Sequence, residues 1–287
     1  MSWKIIVDST CNLKTLRNKT DKEILFEKVP IVINLGEEVY IDKEDIDTEL
    51  FISDMHLHEG KISTACASPE VYLNTFYGAK NIIVLSLSSG LSGSYNSAVM
   101  AQEIYQDAYP DANVFVYDTL SCAGEIDLLV MKAEELIEAG KSFSEVIEGI
   151  KAYHKHTDIL FCLANMDNLV KNGRIKPIIG KVIGLLHVRL IGGRTLDGKL
   201  EPLHKRKGKK RALKSLLEEL DKAGYHGGRV SIMQVATDED ANSLKQEILE
   251  KYPNAEVTIQ SPSAVCCVYG GEEGILIGFE KNLAESC

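Results

Sequence analysis

The stretch Ser86-Leu87-Ser88-Ser89-Gly90-Leu91-Ser92-Gly93-Ser94 holds five serines and two glycines in nine residues. It leaves the apolar run Asn81–Leu87 and enters a helical pattern that starts near Tyr95. A turn from strand to helix presents amide groups without intrahelical partners, and the helix start carries partial positive charge. Glycines let the backbone approach a ligand and serines add hydroxyl donors, so the stretch reads as an anion site. The plainer reading is that Ser92 or Ser94 only caps the helix. The density of serines favours a ligand held by Ser92, Gly93 and Ser94.

Between Lys80 and Lys132 the chain has no lysine or arginine. Sites for multiply charged phosphates add a basic side chain to the amide cradle, so a monoanion fits better. The nucleotide fingerprints G-x-x-x-x-G-K-[ST] and G-x-G-x-x-G are absent, and Gly93 comes one place too early for the G-x-S-x-G elbow of a serine hydrolase.

Ser63-Thr64-Ala65-Cys66-Ala67-Ser68-Pro69 is a second candidate. Pro69 suits a first helical turn and Ser68 its cap, which leaves Thr64 outside the helix and able to face a ligand. Asp8, after the first strand, reads as the cap of a following helix. His56/His58 and His154/His156 read as solvated pairs, since neither has a third metal ligand nearby. The seven cysteines lack CxxC spacing and read as reduced thiols. Cys266 and Cys267 fall in a run that reads as a strand, where neighbours face opposite sides and cannot share a metal. His204-Lys205-Arg206-Lys207-Gly208-Lys209-Lys210-Arg211 concentrates positive charge in a chain of net charge −10. It is either a solvated surface loop or a face that docks an acidic partner.

The elements that position these residues follow from periodicity. Apolar β-branched runs at Lys4–Val7, Asn81–Leu87, Asn113–Tyr117 and Asp158–Leu163 alternate with helical patterns at Tyr95–Ala108, Ala123–Ala139 and Phe143–His154. Alternation of this kind predicts a parallel-sheet βαβ domain over residues 1–158. Beyond it come a glycine-punctuated helical stretch (Asn165–Leu186) and strand runs Val188–Gly192 and Lys199–Lys205 split by the hairpin signal Asp197-Gly198. Helices over Lys209–Ala223 and Asp238–Lys251 and strands at Arg229–Val235, Glu256–Ile259 and Gly274–Phe279 complete an α+β domain over 159–287, with a largely antiparallel sheet. The fold class is thus α/β in two domains with a cleft between them. The acidic balance argues against nucleic acid as partner. No stretch approaches the ~20 apolar residues of a membrane span, and the start lacks a signal-peptide pattern, which predicts a cytoplasmic protein without membrane insertion.

Ile5 through Cys11, Val29-Pro30, Thr64 through Pro69, Ser88 through Tyr95, Asn172-Gly173-Arg174-Ile175 and Asp197-Gly198-Lys199 occur in the order and approximate spacing of the DegV family, which the chain resembles over nearly its whole length. The resemblance implies a two-domain α/β protein that carries a long-chain fatty acid between its domains, with some members presenting the acid to a fatty acid kinase. It implies Thr64 as the carboxylate-binding threonine and Ser92 as the serine of the Leu-Ser-Gly turn. It further implies Arg174, Lys207 and Lys209 at positions that kinase-linked members turn toward the partner. Three positions depart from the pattern. Ala65-Cys66 replaces a Ser-Gln pair, Lys207 replaces an arginine and so lacks its bidentate geometry, and no histidine lies beyond His226, where the family has one before a Gly-Pro-Gly. The combined expectation is a fatty-acid carrier with no reaction, cofactor or metal of its own. The rival is an enzyme performing acyl or phosphoryl transfer on a small anion at the same site, which would need a solvated pocket with a base beside it.

Overall fold

The computed structural model describes residues 2–17, 20, 23–176 and 187–281. Strands β1 (Trp3–Asp8) and β6 (Asn81–Ser86) are buried at every position, as a parallel strand covered on both faces must be. With β2 (Ile24–Val29) and β7 (Asn113–Asp118) they form an all-parallel sheet in the order β2-β1-β6-β7. Helices α2 (Pro69–Thr75) and α3 (Ser94–Ala108) cover one face through Tyr72, Phe76, Ala98 and Ala101. Helices α4 (Gly124–Glu138) and α5 (Phe143–His154) cover the other through Ile126, Leu129, Val146 and Ile150.

A small antiparallel sheet that the sequence reading did not foresee lies beside it, with β3 (Val32–Leu35) between β4 (Glu38–Ile41) and β5 (Ile62–Ala65). Helix α1 (Thr48–Leu57), capped by Asp47, connects β4 to β5.

From β8 (Thr157–Leu163) the chain enters a third sheet, so the apolar run there does not extend the parallel one. Strands β9 (Val188–Arg194), β10 (Leu200–Lys207), β11 (Gly228–Gln234), β12 (Ala255–Gln260) and β13 (Ile275–Glu280) complete it in the order β10-β9-β8-β13-β11-β12. Every pair is antiparallel except β11 with β12. Helices α7 (Lys209–Lys222) and α8 (Glu239–Lys251) pack on one face around Leu216, Leu220, Leu244 and Ile248. Two further helices are α6 (Asp167–Lys171), all that the described residues show of the expected 165–186 helical stretch, and α9 (Ala264–Gly270). Residues 177–186 lie outside the described residues. Cys266 and Cys267 sit on α9, contrary to the strand expectation. The run is uniformly apolar and carries no period-2 pattern, and Ser263 caps it by accepting from Cys266 N.

Helix α4 is common to the two larger sheets. At Gly124 its backbone touches β13 so closely that a Cβ there would stand 2.5 Å from both Gly278 N and Ser231 O. Asp127 accepts from Asn12 N (2.8 Å) and Ser231 Oγ (2.7 Å), while Glu125 takes Arg194 Nε and Nη2 at 3.0 and 3.1 Å and Thr157 Oγ1 at 2.8 Å. Among the described residues no helix is long and apolar enough to cross a membrane.

Candidate ligand-binding site

The turn between β6 and α3 is built mostly on its own hydrogen bonds. Ser88 Oγ accepts from Gly90 N, Ser88 O accepts from Leu91 N and Ser92 N, and Asp118 Oδ1 takes Ser89 N. The expectation of a wide amide cradle is therefore too generous. Gly93 N and the first-turn amides of Tyr95 and Asn96 have no acceptor among the described residues, and α3 has no side-chain cap. Ser92 Oγ accepts from Ser94 N (3.2 Å) and lies 2.9 Å from Ser94 Oγ. Ser94 is fully buried, so it supports Ser92 from below and does not itself line a cavity.

The Asp197-Gly198 turn, the tip of the β9–β10 hairpin as expected, rests on this serine turn. Gly198 O accepts from Ser88 Oγ at 2.7 Å. With φ of +72° and no room for a side chain between Ser88 and Leu120, position 198 requires glycine.

Thr64 stands on β5 with its hydroxyl 2.6 Å from that of Tyr269 on α9. Sequence reasoning missed Tyr269, which is 205 positions away in the chain and signalled by no motif. Gly93 meets the β5 end as well, since a Cβ there would lie 3.0 Å from Cys66 Sγ. Arg174 supplies the cation that residues 81–131 lack: its guanidinium donates to Leu91 O (3.0 Å) and Asn172 O (2.6 Å), beside Ser92.

These groups share one cavity of about 310 Å³, which also takes in Thr10. The rest of its wall is apolar, with Ile31, Leu87, Leu163, Leu169 and Leu276 among its residues. Among the described residues no carboxylate, lysine or imidazole lines it. Burial pushes the Cys266 thiol on this wall up to about 12, so it stays protonated and apolar in character.

Asp8 caps no helix, because none follows β1. Its carboxylate is buried behind the cavity and accepts from Leu87 N and from Thr10 N and Oγ1, which fixes Thr10. Burial raises its pKa, opposed by those bonds. His154 is not solvated: its Nδ1 lies 2.7 Å from Tyr117 Oη and its Nε2 3.4 Å from Glu125. The basic run is not a loop either. Residues 204–207 end the edge strand β10, and Lys209 opens α7 with its ammonium 2.9 Å from Asp240. Arg174 faces the cavity, so of the three expected docking residues only Lys207 is exposed and without an ion-pair partner among the described residues. No group of three or more metal-binding side chains occurs among the described residues.

The model of the DegV family, described as "Uncharacterised protein, DegV family", matches residues 2–282. A DegV domain-containing protein of Streptococcus pyogenes serotype M1 is 39% identical over 280 residues, covering 98% of this chain and all of the relative. Its counterpart in Streptococcus pneumoniae R6 is 41% identical over 98% of this chain and 99% of its own. Among solved structures, the S. pneumoniae Fatty Acid Kinase (Fak) B3 protein loaded with linoleic acid superposes with a TM-score of 0.96 at 41% identity, covering 98% of this chain and 100% of that one. A DegV family protein from Eubacterium eligens loaded with heptadecanoic acid gives 0.93 at 29% identity with the same coverage.

Proposed function

Since the chain belongs to the DegV family, we propose that it binds one long-chain fatty acid in this cavity and carries it unchanged in the cytoplasm, as a binding protein and not an enzyme. The observation that carries the reading is a single apolar cavity whose polar groups are hydroxyls, an amide and one guanidinium. Those groups suit a carboxylate, and the aliphatic wall suits its tail. Thr64, Ser92 and the Gly93 amide hold the head group, with Ser94 and Tyr269 orienting the two hydroxyls and Arg174 lending charge. Tail burial at roughly 0.8 kcal/mol per methylene dominates affinity, and the bonds to the carboxylate set orientation. The chain divides on this reading into residues 1–158 and 159–287, with the acid between them. A transferase would need a base at the head group, and the described wall offers none.

Mass spectrometry of the denatured, purified protein is the direct test, with a co-purified fatty acid near one per chain as the expected result. Thr64→Val and Ser92→Ala each remove a hydrogen bond to a charged acceptor, worth roughly 1.5–3 kcal/mol, so each lowers affinity about tenfold to a hundredfold with the fold intact. Competition by short acids as effective as that by palmitate would sink the reading.

The acid is presented, we further propose, to a fatty acid kinase that docks on the basic end of the hairpin. Lys207 leads there, because Lys209 is held in an ion pair with Asp240 and Arg174 faces the cavity. Reversing the charge of Lys207 leaves acid affinity unchanged and slows association with the kinase, and added salt narrows the difference. Transfer kinetics equal to wild type at low salt would remove the kinase from the proposal.

A further inference from the structure

Phe161 on β8 and Gly192 on β9 face each other across the ladder. A side chain at 192 would place its first carbon 2.2 Å from Phe161 Cζ, 2.4 Å from Glu201 O and 2.6 Å from Phe161 Cε2. The edge of the ring therefore fills the space that any other residue at 192 would occupy. The neighbouring Gly193 points the other way, toward Leu160 and Leu203. A glycine inside a strand weakens it unless something must come close, and here the close partners are the Glu201 carbonyl of β10 and an aromatic ring that is itself part of the cavity wall.

We propose that Phe161, laid back over Gly192, is the residue that determines which acyl chains the cavity accepts. This rests on the reading of the cavity as an acyl site. The ring is 2% exposed and, away from the cavity, packed with Leu163, Leu190 and Leu200, which hold its position. Close-packed interiors do not yield cheaply to an added methylene, so the volume left by a fixed ring is read directly as a preference among chains. The recess over Gly192 draws the ring out of the cavity, and the side chain at 161 sets how much tail fits.

The test compares Phe161→Leu and Phe161→Trp with wild type by calorimetry across a series of saturated acids, with thermal melts to verify folding. The smaller side chain moves the best-bound acid to a longer chain, with about a tenfold gain for an acid two methylenes longer, and the larger one moves it to a shorter chain by a similar factor. Phe161→Met, closer in volume, carries the same expectation as Phe161→Leu should that variant fail to fold. Folded variants with the wild-type length profile overturn the inference and leave the carrier reading standing. A wild-type protein that binds no acid of any length overturns both.

Discussion

Replacing Arg194 with methionine is expected to lower the free energy of unfolding by about 3–5 kcal/mol, because it strands a carboxylate in the interior. Glu125 is fully buried on α4, and Arg194 closes on both of its oxygens. Burial alone would push the Glu125 carboxyl up. His154 and Arg194 override it and hold the pKa at about 2, below its ordinary 4.5. Arg194, with two good hydrogen bonds, is the geometrically stronger partner, since His154 Nε2 stands 3.4 Å off and is poorly directed. The sign of the pH effect follows. Between about 2 and 4.5 the unfolded chain binds the proton that the folded one releases, so this pair's contribution is complete above 4.5 and is lost as pH falls toward 2. Denaturant titrations of wild type and Arg194→Met across that range check both parts. Equal stabilities at neutral pH would show that the pair is worth no more than its replacement by an apolar contact.

Asp42→Ala is expected to cost roughly 2–4 kcal/mol, since two buried amides lose their acceptor. The carboxylate is 3% exposed and takes Ala264 N at 2.9 Å and Val265 N at 3.1 Å, the first turn of α9. A carboxylate there also suits the positive end of the helix. The consequence reaches the ligand site, because α9 carries Val265, Cys266 and Tyr269 on the cavity wall and Tyr269 holds Thr64. Fatty-acid affinity should fall with stability, although Asp42 touches no part of the cavity. Burial raises the Asp42 pKa, and hydrogen bonds from Ser9, Val265 and Ala264 oppose it. A raised carboxyl contributes stability below its ordinary 3.8 that is lost as pH rises through the folded value, opposite to Glu125. Chemical denaturation with parallel binding titrations would detect the paired loss, and an unchanged affinity in a destabilised Asp42→Ala would show that α9 does not position the site.

What was legible in the sequence is what local pattern encodes. Long periodic segments such as Gly124–Glu138 and Lys209–Lys222, the strands β1, β6 and β7 of the parallel sheet and the Asp197-Gly198 hairpin were readable, because each carries its signal within one short segment, whereas the edge strand β2 was not foreseen. Nor was the small sheet. Its strands are four residues each, and β5 joins β3 across the whole of α1. The serine turn and Thr64 could be singled out as candidates from residue type. Their partners could not, since Tyr269 reaches Thr64 and Arg174 reaches Leu91 only through tertiary contacts. The absence of a basic residue near the serines in sequence was sound as an observation, but a guanidinium from another segment stands there in space.

Helix α4 lies against both large sheets, with its glycine pressed on the backbone of β13. Neither sheet has a complete interior without it. The two halves are therefore expected to unfold together, so that ligand occupancy, contributing RT ln(1 + [L]/Kd), would stabilise the parallel and antiparallel halves alike. On the proposed function, occupancy of the cavity is then expected to change the susceptibility of the whole chain to proteolysis, including at sites far from the acid.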